Sequence, residues 1–240
     1  RVPKDDTDIE ALLAQVMQRS RMLIDRQNRM LPKLIDLLAA ENIEMLSDIP
    51  DNADDHAWLE DWFINNVLPL LTPTTLDPSH PFPFFHNEGK GMVLELSDPD
   101  NRAMQSVILL PSNLPRLVKL PGPGMRLLVV EAVIKASIKK IYPRYSLKSA
   151  AMFSILRDSE IEIDDEANDL INEFETALRA RQRGTVVMLS LSSDAPSSTR
   201  QLLKVAMGID ASSFFDCTGP VALNDFAELL DYIPKHLLFP

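Results

Sequence analysis

Residues 92–120, MVLELSDPDNRAMQSVILLPSNLPRLVKL, decide the fold. Three short apolar runs stand out within them: Met92 to Leu96, Gln105 to Leu110 and Arg116 to Leu120. Each has the length of a strand, and each is cut off by turn residues. Asp98-Pro99-Asp100 and Pro111-Ser112-Asn113 combine the fixed φ of proline with side chains that hydrogen-bond their own backbone. Gly122-Pro123-Gly124 breaks the chain once more. These short strands alternate with turns.

Upstream, Leu71 to Phe85 carries Pro73, Pro78, Pro81 and Pro83. That density of missing amides and fixed φ predicts an extended, ordered loop rather than a helix or a central strand. A helix is expected before it, capped by Asp54 or Asp55, with Trp58, Trp62, Phe63 and Val67 turned inward. The chain opens on a longer one. Thr7 and Glu10 have capping-box spacing, and Ile9, Val16, Leu23, Met30 and Leu37 recur every seven residues. Leu12, Leu13, Met17, Ile24, Leu34 and Leu38 widen the stripe, which predicts a helix to about Ala40 with one apolar face. Pro32 should kink or restart it. A seam this long needs a covering surface, although Ser20 and Gln27 in the alternate positions weaken a coiled-coil reading.

Downstream, Val129 to Ile141 reads as a helix stopped by Pro143, and Ser149 to Leu156 as a strand. Asp164 should cap a helix that ends at Arg183-Gly184. Thr185 to Leu191 is the strongest strand signal in the chain. Ser197 or Ser198 opens a helix to Gly208, and Asn224 opens a last one that Pro234 ends. Strands and helices interleave without strict alternation. The expected class is therefore α+β, with a mixed, mostly antiparallel sheet and packed helices behind a long N-terminal helix.

The chain has 240 residues, is 45% hydrophobic and 25% charged, and carries a net charge of −11. So acidic a surface repels nucleic acid and other polyanions at long range. The basic clusters Lys135, Lys139, Lys140, Arg144, Lys148 and Arg179, Arg181, Arg183 read as solvated helix ends. The longest apolar runs, such as Leu127 to Val130, are far short of the ~20 residues of a membrane span. No signal-peptide pattern opens the chain, and its first residue is not Met, which suggests a piece of a longer protein. The single Cys217 allows no internal disulfide and fits a reducing cytoplasm.

Catalytic motifs are missing. Gly89-Lys90-Gly91 and Gly122-Pro123-Gly124 are incomplete as phosphate or dinucleotide loops. His56, His80, His86 and His236 form no His-x-x-x-His pair, and one cysteine makes no thiolate zinc site. No lysine stands two residues after any histidine, so the His-x-Lys nucleophile motif is absent, as is a Gly-x-Ser-x-Gly elbow. The acidic run Asp158, Glu160, Glu162, Asp164, Asp165, Glu166 has the chemistry to hold a hard cation, but its commoner role is to solvate a loop and favour a helix start. Arg157-Asp158 ends a strand that should be buried, a place where sites are often built and where an internal ion pair is commoner still.

Set in order, these segments resemble a known family. Leu71-Thr72-Pro73 and Asp77-Pro78-Ser79-His80-Pro81-Phe82-Pro83 are similar to a signature in the first half of bacterial polyphosphate kinases of family 1. Leu110-Pro111, Leu114-Pro115-Arg116 and Val118-Lys119-Leu120-Pro121 look like its next run. Glu131, Ile134 and Ile141-Tyr142-Pro143 fit the following helix. Leu156-Arg157-Asp158-Ser159-Glu160 resembles a strand end of the family, and Asp169-Leu170 to Arg183-Gly184, Val187 to Leu189 and Gly219-Pro220…Leu223 complete the order.

The resemblance implies an enzyme of four parts. A helical N-terminal domain helps hold the adenine of ATP, a head domain mediates dimerisation, and two phospholipase-D-like domains carry the phosphate-accepting histidine and the magnesium-linked arginines. On this reading residues 1–40 are the last helix of the first part, 41–233 the head domain, and 234–240 the start of the linker to the catalytic domains. The parent reversibly transfers the terminal phosphate of ATP to inorganic polyphosphate with Mg²⁺. This chain itself is expected to hold no catalytic, cofactor-binding or metal-ligating residue. His80, Arg116, Arg157 and Asp158 are the candidates for contacts between domains or along the substrate path. The implied partners are a second copy, the catalytic domains of the same chain and, through the parent, polyphosphate; nucleic acid and a membrane span are not among them, and the implied location is cytoplasmic. A stand-alone interaction adaptor derived from such a head domain is the alternative. A hydrolase built on His80 and Asp77 is a third reading, and it requires both side chains to converge on an open pocket.

Overall fold

In the computed structural model of the chain, residues 9–77, 82–158 and 184–238 are described. Helix α1 (Ile9–Ala40) is followed by strand β1 (Ile43–Leu46) and helix α2 (Ala53–Asn66). Strands β2 (Thr72–Leu76), β3 (Lys90–Ser97), β4 (Ala103–Leu110), β5 (Leu117–Lys119) and β6 (Met125–Val129) come next. Two short helices, α3 (Val130–Ala136) and α4 (Ile138–Ile141), lead into the long strand β7 (Ser146–Arg157). Strand β8 (Val186–Ser192), helix α5 (Ser197–Met207) and strand β9 (Phe214–Cys217) follow, and a 3-10 helix spans Leu223–Asp231.

The main sheet runs β2-β4-β3-β7-β8-β9, and within it β8 and β9 alone pair parallel. A small sheet, β1-β6-β5, holds one parallel and one antiparallel pair. The fold is thus α+β with a mostly antiparallel sheet, as the short strands with tight turns imply. At the β3–β4 turn, Asp98 Oδ1 accepts from the amides of Asp100 and Arg102 at 2.9 and 2.8 Å. The aspartate that marks the turn in sequence thereby closes it.

The main sheet is buried on both faces. Met92, Leu94, Leu96, Ile108 and Met152 pack against Leu59 and Phe63 of α2, Val67 just after it, and Val133 and Ile134 of α3. Alternate residues Val93, Val107, Ala151, Phe153 and Leu189 pack on the other face against Phe85 and Leu203. A third cluster joins Leu38, Ile43, Leu117 and Leu127 to Phe226 and Leu229 of the 3-10 helix.

Several local expectations need correction. Asn52, not Asp54 or Asp55, caps α2: its side chain accepts from both of their amides. Asp55 instead takes a two-pronged ion pair from Arg126, with Nη1 and Nη2 donating at 2.7 and 2.9 Å. The proline segment begins as a strand, β2, with Pro73 opposite Ile108. The edge of a sheet tolerates the missing amide. Helix 129–141 is β6 at its start and is interrupted at Ser137, where φ −93° and ψ 11° leave the helical region. The last helix is 3-10 rather than α. Helix α1 runs through Pro32 without a restart. The Thr7 cap, the helix from Asp164, the acidic run after Asp158 and the Arg179–Arg183 cluster lie outside the described residues, as does His80.

Candidate functional site

A cleft of about 1200 Å³ opens where helical cover of the main sheet runs out. Its floor follows from strand register. Leu110 stands opposite Lys90, Lys90 opposite Ser154, Ser154 opposite Ser190 and Ser190 opposite Phe215. Partners in register point to the same face, so an aliphatic side chain, an ammonium and two hydroxyls line the cleft across four strands, and the row ends on the buried ring of Phe215. Ile24, Gln27 and Asn28 of α1 form one wall, and Pro220 to Asp225 form another.

Among the ionisable groups at this cleft, Lys90 is bound by Asp225, and Asp225 Oδ2 also accepts from Arg116 Nη1 at 2.9 Å. Arg116 Nη2 donates to Glu131 Oε1 and to Val221 O, while its backbone amide donates to Glu228 Oε2 at 2.8 Å. Arg116 is only 4% exposed. Two cations and three carboxylates therefore tie together β3, the residue before β5, α3 and the 3-10 helix. Burial of charge is tolerable when it is paired and hydrogen-bonded in this way. The arrangement joins elements through both terminal nitrogens of Arg116, while its Nε and Glu131 Oε2 are buried without a hydrogen-bond partner.

Arg157 is equally occupied. Its Nε donates to Phe85 O at 2.8 Å and its Nη1 to Gly184 O at 2.6 Å, and its guanidinium lies 4.8 Å from the centre of the Phe84 ring. Burial lowers its pKa. It ties the phenylalanine loop to the approach of β8. Asp158 is exposed, with its amide donating to Thr185 O at 2.8 Å. Arg116 stands behind one wall of the cleft, and Arg157 and Asp158 directly follow Ile155 and Leu156 of β7, which line it.

Cys217 lines the cleft, but burial pushes its thiol up, opposed by a hydrogen bond with Ser190 and helped by Asp216. A protonated thiol is a poor nucleophile. His86 is exposed and meets Phe84 edge-on, 5.2 Å between ring centres. Among the described residues, no group of three His, Cys, Asp or Glu stands close enough to hold a metal ion, and no helix is long and apolar enough to cross a membrane.

Sequence reasoning named Lys90 and Glu131 without giving them a role at a site, and did not single out Asp225 or Glu228. A faint signal existed in Glu131, a charge set directly among the apolar positions of a short helix. Its partner Arg116 is 15 residues away, and Asp225 is 109 residues from Arg116.

The chain matches the family described as polyphosphate kinase middle domain over residues 54–229. It is 32% identical over 219 residues to the polyphosphate kinase of Erythrobacter litoralis, a match that covers 91% of this chain and 30% of that protein. It is 32% identical over 235 residues to polyphosphate kinase 1 of Chlorobaculum tepidum, covering 93% and 33%. The crystal structure of polyphosphate kinase from Porphyromonas gingivalis shares the fold, with a TM-score of 0.74 at 19% identity, over 96% of this chain and 35% of that one. The chain spans about a third of the length of these relatives. With the middle-domain match running from α2 to the 3-10 helix, and the strand order carried over to a solved relative, this chain belongs to the polyphosphate kinase family.

Proposed function

We propose that this chain is the head region of a polyphosphate kinase and acts as a scaffold, with no phosphate-transferring group of its own. The whole enzyme would transfer the terminal phosphate of ATP reversibly to inorganic polyphosphate with Mg²⁺, in the cytoplasm. Residues 1–40 would be the last helix of a preceding domain, 41–233 the head domain and 234–240 the approach to the catalytic domains. Its partners would be those domains and a second copy of the chain.

One observation carries the scaffold reading. The charges around the cleft serve the fold: Arg116 and Lys90 are paired with Glu131 and Asp225, and Arg157 donates to two carbonyls. A phosphate-handling site needs free, preorganised cations aimed at the developing charge. Arg157 and Asp158, at the end of β7 beside the cleft, are the residues we would place at a contact between domains.

The test is direct. The purified 240-residue chain, given ATP, Mg²⁺ and polyphosphate, should neither lengthen the polymer nor release ADP. Polymer synthesis by this chain, free of any other enzyme, would overturn the reading.

A further inference from the structure

Strand β9 is the outer strand of the main sheet, so among the described residues one of its edges has no strand partner. Helix α1 takes that place with two side chains. Arg21 Nη1 donates to Phe214 O at 2.9 Å and its Nη2 to Ser212 O. Asn28 Nδ2 donates to Asp216 O at 3.0 Å, and its Oδ1 accepts from the Thr218 amide at 3.3 Å. The backbone groups served belong to residues 212, 214, 216 and 218. Phe214 and Asp216, two apart, lie on one edge of β9, and Ser212, in a 3-10 turn, and Thr218 flank it.

The spacing on the helix matches. Seven residues are two turns, or about 10.5 Å of rise. Four residues of strand span about 13 Å, and the long arginine side chain makes up the difference. Two further features seat the helix. The Arg21 guanidinium lies 4.6 Å from the centre of the Phe215 ring. Gly219 has no Cβ, and one placed there would stand 2.3 Å from Leu31 Cδ2. The close approach of α1 to the chain after β9 therefore uses that glycine.

We propose that Arg21 and Asn28 form a two-point latch by which α1 closes the open edge of β9 in place of a strand. The latch also sets the rotation of α1. With Arg21 and Asn28 turned to β9, Ile24 and Gln27 face the cleft and Val16, Leu23, Met30 and Leu37 face outward. An unprotected edge strand is a template for pairing with other chains, and the latch removes that liability while leaving the apolar seam free. The assignment stands on hydrogen-bond geometry alone and holds whether or not the scaffold reading does.

Amide hydrogen exchange on the full chain tests it. Arg21→Ala with Asn28→Ala should speed exchange at residues 214–218 by on the order of tenfold, with β3 and β7 unchanged. Asn28→Asp keeps the acceptor for the Thr218 amide and loses the donor to Asp216 O. It should therefore leave Thr218 protected, whereas Asn28→Ala should expose it. If the double variant folds poorly, the Asn28 pair of single variants decides the matter by itself. Unchanged exchange at 214–218, equal acceleration across β3 and β7, or equal protection of Thr218 in both Asn28 variants would each overturn the latch.

Discussion

At the scale of single residues, Arg116 exerts the largest leverage, because it is a buried cation shared among carboxylates. Arg116→Ala strands Glu131 in the interior and removes one of the two cations of Asp225. Breaking one side of a buried pair costs ~3–5 kcal/mol, and urea denaturation should show a loss of that order. Pairing Arg116→Met with Glu131→Leu leaves no stranded charge and should recover a large part of it. A loss below ~1 kcal/mol for Arg116→Ala would mean that water reaches these groups and that the network is not the tie described. Glu95 gives a pH-dependent counterpart at the start of α5. Burial alone would push its carboxyl up, but hydrogen bonds from Ser198, Ser149 and Thr199, with Gln105, outweigh burial and hold it below its ordinary value of 4.5. A carboxyl depressed on folding adds stability above its unfolded pKa and loses it as the pH falls through the folded one. The melting temperature of Glu95→Gln should therefore fall less steeply than that of the parent below about pH 4.5. Identical acid limbs would remove Glu95 from the account.

At the scale of elements, the phenylalanine loop is locked to the sheet through Gly91. A Cβ there would stand 2.6 and 2.7 Å from two carbons of the Phe85 ring and 2.9 Å from Phe153. Neither ring has room to retreat: both are buried, with centres 4.9 Å apart. Gly91→Ala should cost ~1–3 kcal/mol, the usual penalty of overpacking, read as a lower urea midpoint at unchanged slope. An unshifted midpoint would mean that the loop repacks freely. The same elements show how much was legible beforehand. Strands β3, β4, β7 and β8 have seven or more residues each and long Val, Leu and Ile content, so their pattern declares them. Strands β1, β6 and β9 have only four or five, too few for a period to emerge. In β6 the apolar Leu127 to Val129 also merges with the helix that begins at Val130. Pro73 argued rightly against a central strand, and β2 is an edge. The cleft was not legible at all. Its floor is a row across four strands, and register between distant segments leaves no local mark. Arg116 was visible through its motif, but its carboxylate partners come from two other elements.

At the scale of the whole molecule, the question is what covers α1. The seven-residue repeat read from the sequence points away from the body of the protein: Val16 is 51% exposed, Leu23 56% and Leu37 67%. The helix is anchored instead by an adjacent face, through Arg21, Asn28, Leu31 and Leu38. A contiguous exposed apolar stripe is the kind of patch that marks an interaction surface. The geometry of such a stripe suits a second helix of the same kind, since side chains at i and i+7 return to one face. We therefore expect the chain to self-associate at micromolar concentration, with α1 in the contact and an interface of roughly 1,000 Å² or more if it is specific. Light scattering should give a mass near twice the 27.0 kDa of one chain. Val16→Lys with Leu23→Lys places two ammonium groups in the seam and should return the chain to a monomer. Neither side chain belongs to a buried cluster, so the urea midpoint of the sheet should hardly move. A parent chain that is monomeric across this concentration range would sink the idea. So would a dimer indifferent to the two lysines, because its interface would then lie elsewhere on the molecule.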